Sequence, residues 1–407
     1  MFERFKKVKT QNSSKKPSYL SVDIGTEYIK CAVFIVEEKE VNIIGYTRVK
    51  QKSSAMYAAF VLDITEVVDA LDKSIGEAIG MAKEYFEGDY ALPKDMIIGI
   101  AGESVQGVNI LVNVERESPD TEITEKEIEQ IIQKVKKHTF ESTKEDLSEE
   151  LGIPSKQLVE IDSYINSVYI DGVRVLNALG YKGSELVYRV FSTFAPRVHI
   201  DTINQIARLL KVNILKIVVE PYAVSMGMND MRRNDANGII IDIGGGTTDV
   251  AIVKNGDIVG TKMFAIGGRV FSRRIEKEKG LSYEDAEDKK LKFIDGKLTN
   301  TESTEIRRAF ENDIKIWASG VEVALEEFED VNEYPPNIYL CGGGALLPQI
   351  QEELISYPWM QSLNFKKYPK VNFIFPNAIR NVTDKTKTAT MPIDVAPLAL
   401  ARMILDN

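Results

Sequence analysis

Two short motifs, far apart in the chain, combine acidic, glycine and threonine residues in a way that suits phosphate chemistry. The first is Leu20-Ser-Val-Asp23-Ile-Gly25-Thr26, and the second is Ile240-Ile-Asp242-Ile-Gly244-Gly-Gly-Thr247-Thr248-Asp249. In each, an apolar strand ends in Asp-Ile-Gly and a second strand follows at once. We expect the glycines to adopt positive φ at a hairpin tip and to present successive backbone N–H groups to an anion.

The acidic residues of these motifs point to a cation. Asp23, Asp242 and Asp249 would repel phosphate by themselves, which makes them candidate ligands of Mg²⁺. Proteins hold that ion with one or two carboxylates plus water and phosphate oxygens. Hydroxyl donors come from the threonines of the same motifs, Thr26, Thr247 and Thr248. Two such hairpins from opposite lobes would clamp the phosphates of a nucleotide.

Two further motifs fit the same kind of site. Leu340-Cys-Gly342-Gly-Gly-Ala345 places three glycines after a strand, where a ribose and base can approach closely. Val219-Glu220-Pro-Tyr-Ala223 places a carboxylate at a strand end, where it can orient an attacking water. Each motif alone is typical of an ordinary turn or capping acid, and only their joint occurrence in this order indicates a site. The P-loop and G-x-G-x-x-G patterns are absent.

The predicted elements that carry these motifs recur in both halves of the chain. Apolar runs predict strands at 20–23, 29–36, 41–46, 96–101, 238–243, 249–254, 258–264 and 338–341. Helical spacing predicts helices over 63–86, within 268–330 and over 395–405. Between them, 103–190 reads as a small α+β insertion, with a capping-box pattern at Thr124 and Glu127.

Composition excludes several classes of protein. The chain has 407 residues and a net charge of −10, which suits a large bilobal body and lacks the basic footprint of a nucleic-acid binder. Two cysteines, Cys31 and Cys341, rule out a disulfide framework and are expected to be buried apolar residues. Two histidines, His138 and His199, are expected at helix ends or on the surface, and they give no zinc or triad pattern.

The N-terminal segment stands apart from the rest. Residues 1–16 hold six basic residues and one acidic residue, and 11–17 read as a polar linker. Within Met1–Lys9, three apolar residues alternate with lysines. This pattern fits a short amphipathic helix on an anionic membrane, and it equally fits a frayed tail.

Together, these motifs resemble those of the actin-like ATPase superfamily. Within it, the FtsA/PilM family is the most similar, because Val41-Asn-Ile-Ile-Gly45 and Phe264-Ala-Ile-Gly-Gly268 read like FtsA. The insertion at 103–190 also sits where that family carries its 1C subdomain. The resemblance implies an α/β bilobal fold of two duplicated ribonuclease-H-like lobes with an inserted 1C-like α+β subdomain.

The resemblance also implies roles for individual residues. Glu220 and Asp242 would be catalytic, Asp23, Asp242 and Asp249 would hold Mg²⁺, and the cofactor would be ATP. Ala286-Glu287-Asp-Lys-Lys290 resembles the stretch that contacts ribose and base. The implied cofactor-binding residues are Gly25, Thr26, Glu27, Gly244, Gly245, Gly246, Thr247, Thr248, Glu287, Lys290, Gly342, Gly343, Gly344 and Ala345.

The implied domain organisation follows the family pattern. The expected segments are a basic leader (1–17), lobe 1 (18–102 and 191–235), the inserted subdomain (103–190), lobe 2 (236–267 and 335–407) and its subdomain 2B (268–334). Residues 139–157 read as an insertion within the 1C-like subdomain, with no role assigned. The chain stops directly after the closing helix, where FtsA usually continues to a membrane helix, so Met1–Lys9 is the expected substitute.

Three functions remain open at this stage. The first is a cytoplasmic ATP-binding adaptor, a slow ATPase at most, that forms filaments, binds the C-terminal tail of FtsZ and contacts the membrane peripherally through Met1–Lys9. The second is a PilM-like scaffold of pilus assembly that binds a PilN-type tail. The third is a small-molecule kinase of the same superfamily. No nucleic acid partner is expected.

Overall fold

The computed structural model describes residues 15–102, 105–175, 177–228, 231, 236–329 and 331–406, with only the backbone of residues 132 and 134–142. The segment Met1–Lys9 therefore lies outside the described residues, and so does any membrane contact that it makes. Within the described part of the chain, no helix is long and apolar enough to cross a membrane.

The described strands and helices match the predicted elements closely. The strands are β1 (Tyr19–Ile24), β2 (Tyr28–Glu37), β3 (Glu40–Lys50), β4 (Met56–Tyr57), β5 (Phe60–Val61), β6 (Asp95–Ile100), β7 (Gln106–Glu115), β8 (Leu158–Ile170), β9 (Val173–Val175), β10 (Glu185–Pro196), β11 (Asn213–Val219), β12 (Gly238–Ile243), β13 (Thr248–Lys254), β14 (Asp257–Phe264), β15 (Asn337–Cys341), β16 (Lys370–Phe373) and β17 (Val382–Asp384). The helices are α1 (Ile64–Met81), α2 (Lys83–Phe86), α3 (Glu125–Leu151), α4 (Arg197–Leu210), α5 (Glu220–Gly227), α6 (Arg269–Lys279), α7 (Tyr283–Ile294), α8 (Asn300–Glu326), α9 (Pro348–Ser356) and α10 (Val395–Arg402).

Lobe 1 is built on a six-stranded sheet in the order β11-β6-β1-β2-β3-β17. β1 is buried along its length because α10 covers it, and the Ser21 hydroxyl donates to the carbonyl of Pro397, 2.7 Å away. Helix α1 packs on β2 and β3, and its N-terminus is capped by Asp63, which accepts from the backbone N–H groups of Thr65 and Glu66. This packing fixes the end of β1, which carries the first acidic motif.

Lobe 2 and the inserted segment share one sheet, which the sequence did not predict. Its nine strands run in the order β16-β15-β12-β13-β14-β7-β10-β8-β9, so strands 106–196 extend the lobe 2 sheet. β14 pairs with β7 at Gly260 and Thr261, and the Thr261 hydroxyl accepts from the Gly107 N–H at 2.9 Å. A nearby buried carboxylate, Asp257, accepts from Ser167 and from Arg174, each at 2.7 Å.

Helix α3 differs in two ways from its sequence prediction. It runs unbroken from Glu125 to Leu151, so most of the predicted insertion at 139–157 is a continuation of one helix. Thr124 caps the helix by accepting from the Glu127 N–H, but the reciprocal half of the capping box is replaced. The Glu127 carboxylate binds the Arg116 guanidinium at 2.7 and 3.1 Å instead, because a buried guanidinium is the stronger partner.

Two apolar cores fill the lobes, and the first also reaches one face of the lobe 2 sheet through Ile240, Ala251 and Val253. Apolar side chains of β1–β3, β6, α5 and α10 fill the first core, and those of β12, α6, α8 and α9 fill the second. The predicted bilobal α/β fold with an inserted α+β unit is confirmed. Both acidic motifs lie at the cleft between the lobes, since β1 and β12 each end there.

Candidate functional site

The two acidic motifs form β-hairpins with the same register. In lobe 1, Asp23 lies directly across from Lys30 in the β1–β2 pair. In lobe 2, Asp242 lies directly across from Asp249 in the β12–β13 pair. In both hairpins, the pair that follows towards the loop is the last one, and four residues separate its two members. The sequence repeat is therefore also a structural repeat.

The hairpin loops contact each other across the cleft, and this explains their glycines. A Cβ on Gly245 would lie 2.8 Å from the Glu27 Cβ, and a Cβ on Gly246 would lie 2.8 Å from the Thr26 Oγ1. The predicted positive φ is wrong for Gly25 and for residues 244–246, none of which has it. Close backbone approach is the reason for glycine there. Positive φ occurs at Gly342 instead, where φ is 85°.

A cavity of about 560 Å³ lies between the hairpins and collects most of the predicted residues. The predicted residues that line it are Asp23, Gly25, Thr26, Glu27, Glu220, Asp242, Gly244, Gly245, Thr247, Asp249, Glu287, Lys290, Gly342, Gly343 and Gly344. Three others do not line it, and they are Gly246, Thr248 and Ala345.

Each of those three has a different environment. The Thr248 hydroxyl donates to the carbonyl of Ile266 at 2.6 Å and accepts from the Trp317 Nε1–H at 2.9 Å, so it is not available to a phosphate. Ala345 is fully buried in the lobe 2 core. Gly246 lines a second cavity on the other side of the hairpin loops.

One buried lysine stands among the buried carboxylates of the cavity. The Lys30 ammonium lies 2.6 Å from Asp23, and the side chains of this pair are 11% and 3% exposed. The nearby acidic groups, with Asp23 first, outweigh burial and raise the pKa of Lys30. Sequence analysis missed Lys30. The hairpin register gives a usable signal, because the residue across from Asp23 can be counted from the loop centre.

The lobe 2 carboxylates have no such counter-charge across the hairpin. Burial raises the pKa of Asp242 to about 6. Burial, with the nearby charge of Asp242, also raises the pKa of Asp249 well above its ordinary value. Two buried acids facing each other therefore favour protonation or the arrival of a cation.

Glu220 reaches the cavity from the first turn of α5, directly after β11. Its carboxylate lies against Gly99 of β6, where a Cβ would collide with it. Burial, followed by the charges of Asp23 and Asp242, raises the pKa of Glu220 well above its ordinary value. A side chain held in this way can accept from or donate to a water molecule in the cavity.

The donor set fits a cation that brings other ligands with it. Among the described residues, no group of three or more histidine, cysteine or acidic side chains is arranged to hold a metal alone. Mg²⁺ keeps several waters and binds through one or two carboxylates plus phosphate oxygens, so Asp23, Asp242 and Asp249 fit that ion together with a phosphate.

The far end of the cavity suits a nucleoside. Lys290 lies 2.7 Å from Glu287 and donates to the carbonyl of Gly268 at 3.1 Å. The last of the three glycines begins a 3-10 turn at Gly344–Leu346, and helix α9 begins after it at Pro348. The apolar lining residues at this end are Leu291, Ile294, Leu346 and Ile393.

Glu27 lines the cavity and also binds two side chains of lobe 2. Its carboxylate accepts from Arg269 at 2.7 Å and from the Tyr283 hydroxyl at 2.8 Å, both from lobe 2. The Arg269 guanidinium also donates to the carbonyls of Thr26 at 2.5 Å and Met56 at 2.8 Å. Arg269, which sequence analysis missed, therefore joins lobe 2 to the first hairpin.

Family models match two parts of the chain. The model described as Cell division protein FtsA matches residues 239–371, and that described as MreB/Mbl protein matches residues 193–283. The FtsA of Neisseria meningitidis is 25% identical over 264 residues, which cover 64% of this chain and 57% of that protein. The FtsA of Bacillus subtilis is 22% identical over 353 residues, which cover 82% of this chain and 74% of that protein.

Solved structures show the same fold. A structure of the PilM–PilN type IV pilus biogenesis complex superposes with a TM-score of 0.66 at 14% identity, covering 96% of this chain and 98% of that one. The ethanolamine utilization protein EutJ of Carboxydothermus hydrogenoformans gives a TM-score of 0.50 at 16% identity, covering 96% and 91%. The resemblance carried by the motifs is confirmed: two parts of the chain match the FtsA and MreB/Mbl models, and the sequence is similar to FtsA proteins over most of its length.

Proposed function

We propose that this chain binds ATP with Mg²⁺ in the cavity between its lobes and uses the nucleotide mainly as a conformational and polymerisation switch. One observation carries the proposal: two hairpins of identical register face each other across a cavity of about 560 Å³ and present Asp23, Lys30, Asp242 and Asp249 to it. Phosphates bound there would be held from both lobes at once, so binding would favour the closed arrangement.

The residues of the cavity divide the chemical work. Mg²⁺, when bound, supplies the positive charge that offsets the phosphates and the lobe 2 carboxylates. Lys30 donates to Asp23 and has further N–H donors for a phosphate oxygen. Glu220 would orient the attacking water as general base, with Asp242 beside it. Burial and the charges of Asp23 and Asp242 raise the pKa of Glu220 well above its ordinary value, which favours its protonated form and fits slow turnover.

As an adaptor, the protein would polymerise in the cytoplasm and link the FtsZ division ring to the membrane, binding the FtsZ C-terminal tail. The support is the matching FtsA model and relatives, all named as cell division proteins. Peripheral membrane contact is assigned to Met1–Lys9. The alternative is a PilM-like scaffold that binds a PilN-type tail, and the third candidate is a small-molecule kinase.

The first experiment measures nucleotide binding. A titration with the fluorescent analogue mant-ATP, with Mg²⁺ and then with EDTA, should show saturable binding that weakens strongly without the metal. Absence of binding in both conditions would contradict the proposal. Phosphate release measured across a panel of sugars should stay flat, and stimulation by one sugar would favour the kinase.

The second experiment identifies the partner. Labelled tails of FtsZ and of PilN from the same organism are titrated separately, with Mg-ATP present, and followed by fluorescence anisotropy. Saturable binding of the FtsZ tail alone is expected. Binding of the PilN tail alone would move the protein to pilus assembly, and binding of neither would overturn both adaptor assignments.

A further inference from the structure

A second cavity lies on the opposite side of the hairpin loops from the nucleotide cavity. It measures about 420 Å³, and Thr26 and Gly245 line both cavities. One wall comes from helix α6 of lobe 2, and the other comes from the β4–β5 hairpin of lobe 1. We call it the basic cleft.

The lobe 2 wall is cationic. Helix α6 carries four basic residues on the face that lines the cleft: Arg269, Arg273, Arg274 and Lys277. The last three follow the first by four, five and eight residues, which keeps all four on one face of the helix. Arg274 is held by Asp313 at 2.6 and 2.7 Å, and Arg269 is engaged by lobe 1.

Arg273 and Lys277 are therefore the cations that face the space. Arg273 is 53% exposed at its side chain, lies over the Tyr283 ring at 4.4 Å and donates to Glu276 through one of its two terminal nitrogens. A guanidinium has five N–H donors, so most of those of Arg273 remain for a ligand.

The lobe 1 wall is apolar and held in place. Tyr57 is 69% exposed and Leu62 is 66% exposed, at the rim of the cleft. The turn between β4 and β5 has Ala58 and Ala59 at φ of 44° and 66°, a conformation that favours asparagine or glycine. Contacts across the loops hold this strained turn, because the Ala59 N–H donates to Thr26 at 3.3 Å.

The two walls together define the chemistry of an occupant. The cationic wall favours an occupant that carries a carboxylate. The exposed apolar wall favours a bulky apolar group within a few ångströms of that carboxylate. A hydroxyl substrate for phosphoryl transfer fits poorly. Among the described residues that line the cleft, Asp313 is the one carboxylate, and Arg274 holds both its oxygens, so it is a poor general base.

We propose that the basic cleft captures a peptide segment of a partner protein that carries an acidic side chain next to a bulky apolar one. A cavity of about 420 Å³ accommodates a few side chains of a linear segment and not a folded surface. Because its two walls belong to different lobes, such a segment would touch both lobes at once.

The test is peptide display selected on the full chain, followed by anisotropy titration of the enriched peptides. Peptides that pair acidic with large apolar residues should be enriched. In the variant R273E/K277E their affinity should fall at least about tenfold. The variant Y57S/L62S should weaken the same peptides about threefold or more, because it removes the apolar wall.

The matched control is K292E/K315E, which makes the same change of net charge at exposed lysines of helices α7 and α8. It should leave peptide affinity unchanged, and a thermal melt of every variant checks folding. No enrichment, or equal binding by R273E/K277E and the control, would overturn the proposal. It would equally be overturned if inorganic phosphate displaced the peptides while Y57S/L62S bound them normally, since the cleft would then be a site for small anions. The readout does not involve nucleotide, so it stands apart from the mant-ATP titration.

Discussion

The hairpins of the two lobes share a register, but the charges of their cross-strand pairs differ. In lobe 1 the cross-strand pair is Asp23 with Lys30, a buried ion pair with its atoms 2.6 Å apart. In lobe 2 the equivalent pair is Asp242 with Asp249, two buried carboxylates. The backbone is therefore repeated, and the charge is not.

The lobe 1 pair has its charges balanced within the protein, whereas the lobe 2 pair needs a ligand to balance its charges. Lys30 gives Asp23 its counter-charge within the protein, so the lobe 1 hairpin is complete without a cofactor. Burial raises the pKa of Asp242 and of Asp249, and the charge of Asp242 raises the pKa of Asp249 further. Neither carboxylate has a cation across the hairpin, so a metal ion would relieve more charge repulsion in lobe 2 than in lobe 1. Removing a charge from the lobe 1 pair should destabilise the nucleotide-free protein, whereas removing one from the lobe 2 pair should stabilise it.

The largest effect is expected for Lys30→Met. Methionine keeps most of the side-chain volume but leaves the buried Asp23 without its partner, which costs about 3–5 kcal/mol in the free energy of unfolding. Urea unfolding of the nucleotide-free protein measures this loss. Adding Asp23→Asn to the variant should restore part of the stability, because the orphaned charge is then removed.

A surface ion pair supplies the control. Lys52 lies 3.0 Å from Glu66, and its side chain is 74% exposed. Lys52→Met breaks an ion pair of similar length, but solvent screening makes the expected loss much smaller than that of Lys30→Met. Equal losses for the two methionine variants would show that burial of the lobe 1 pair has no energetic role.

Asp249→Asn should have two effects of opposite sign. Removing one of two facing buried carboxylates should stabilise the nucleotide-free protein by roughly 1 kcal/mol. The same change should weaken Mg-dependent mant-ATP binding by about 100-fold, because a carboxylate around the metal is lost. Thermal unfolding without ligand and titration with and without Mg²⁺ measure the two effects. If stability and affinity fell together, the carboxylate would be a structural residue.

The repeated motifs predict the hairpins well, but they do not predict contacts between distant parts of the chain. Both strand–loop–strand units follow from apolar runs and Asp-Ile-Gly, since these are local signals. Lys30 lies on a predicted strand, yet it is seen as functional only after the register with Asp23 is known. Arg269 is not recognisable in this way, because its partners lie more than 200 residues away. The pairing of β7 with β14 is equally non-local.

His199 sharpens the comparison, because it is a buried titratable group outside both hairpins. It lies in the first turn of α4, as expected of a helix-end residue, but it is 7% exposed, and its Nδ1 has no partner among the described residues. Its ring lies 5.3 Å from Phe60. Burial lowers the pKa of His199 to about 4. The unfolded chain therefore binds more protons between pH 4 and about 6.5, so stability is lost as the pH falls through that range.

Between pH 7 and pH 5 this histidine should cost about 2 kcal/mol. His199→Phe removes the titration and should flatten that part of the stability profile, measured by urea unfolding at several pH values. The carboxylates titrate in both proteins, so the difference between the profiles isolates His199. Parallel profiles would contradict the assignment of a neutral buried imidazole.

The smallest effect is expected for Arg269→Lys, which tests how lobe 2 reaches the lobe 1 hairpin. Lysine keeps the charge near Glu27, but it cannot also donate to the carbonyls of Thr26 and Met56, which Arg269 binds at 2.5 and 2.8 Å. We expect mant-ATP affinity to fall about tenfold, which corresponds to about 1.4 kcal/mol, because the lobes are then held less firmly around the phosphates.

Arg274→Lys is the matched control on the same helix, since Arg274 binds Asp313 within lobe 2. It should reduce stability without changing affinity. If the two variants lost affinity equally, α6 as a whole would be disturbed. If only Arg269→Lys lost affinity, the contact between the lobes would be what positions the lobe 1 hairpin for the ligand. The charges of the lobe 1 hairpin are already balanced within the protein, whereas the lobe 2 hairpin needs that ligand.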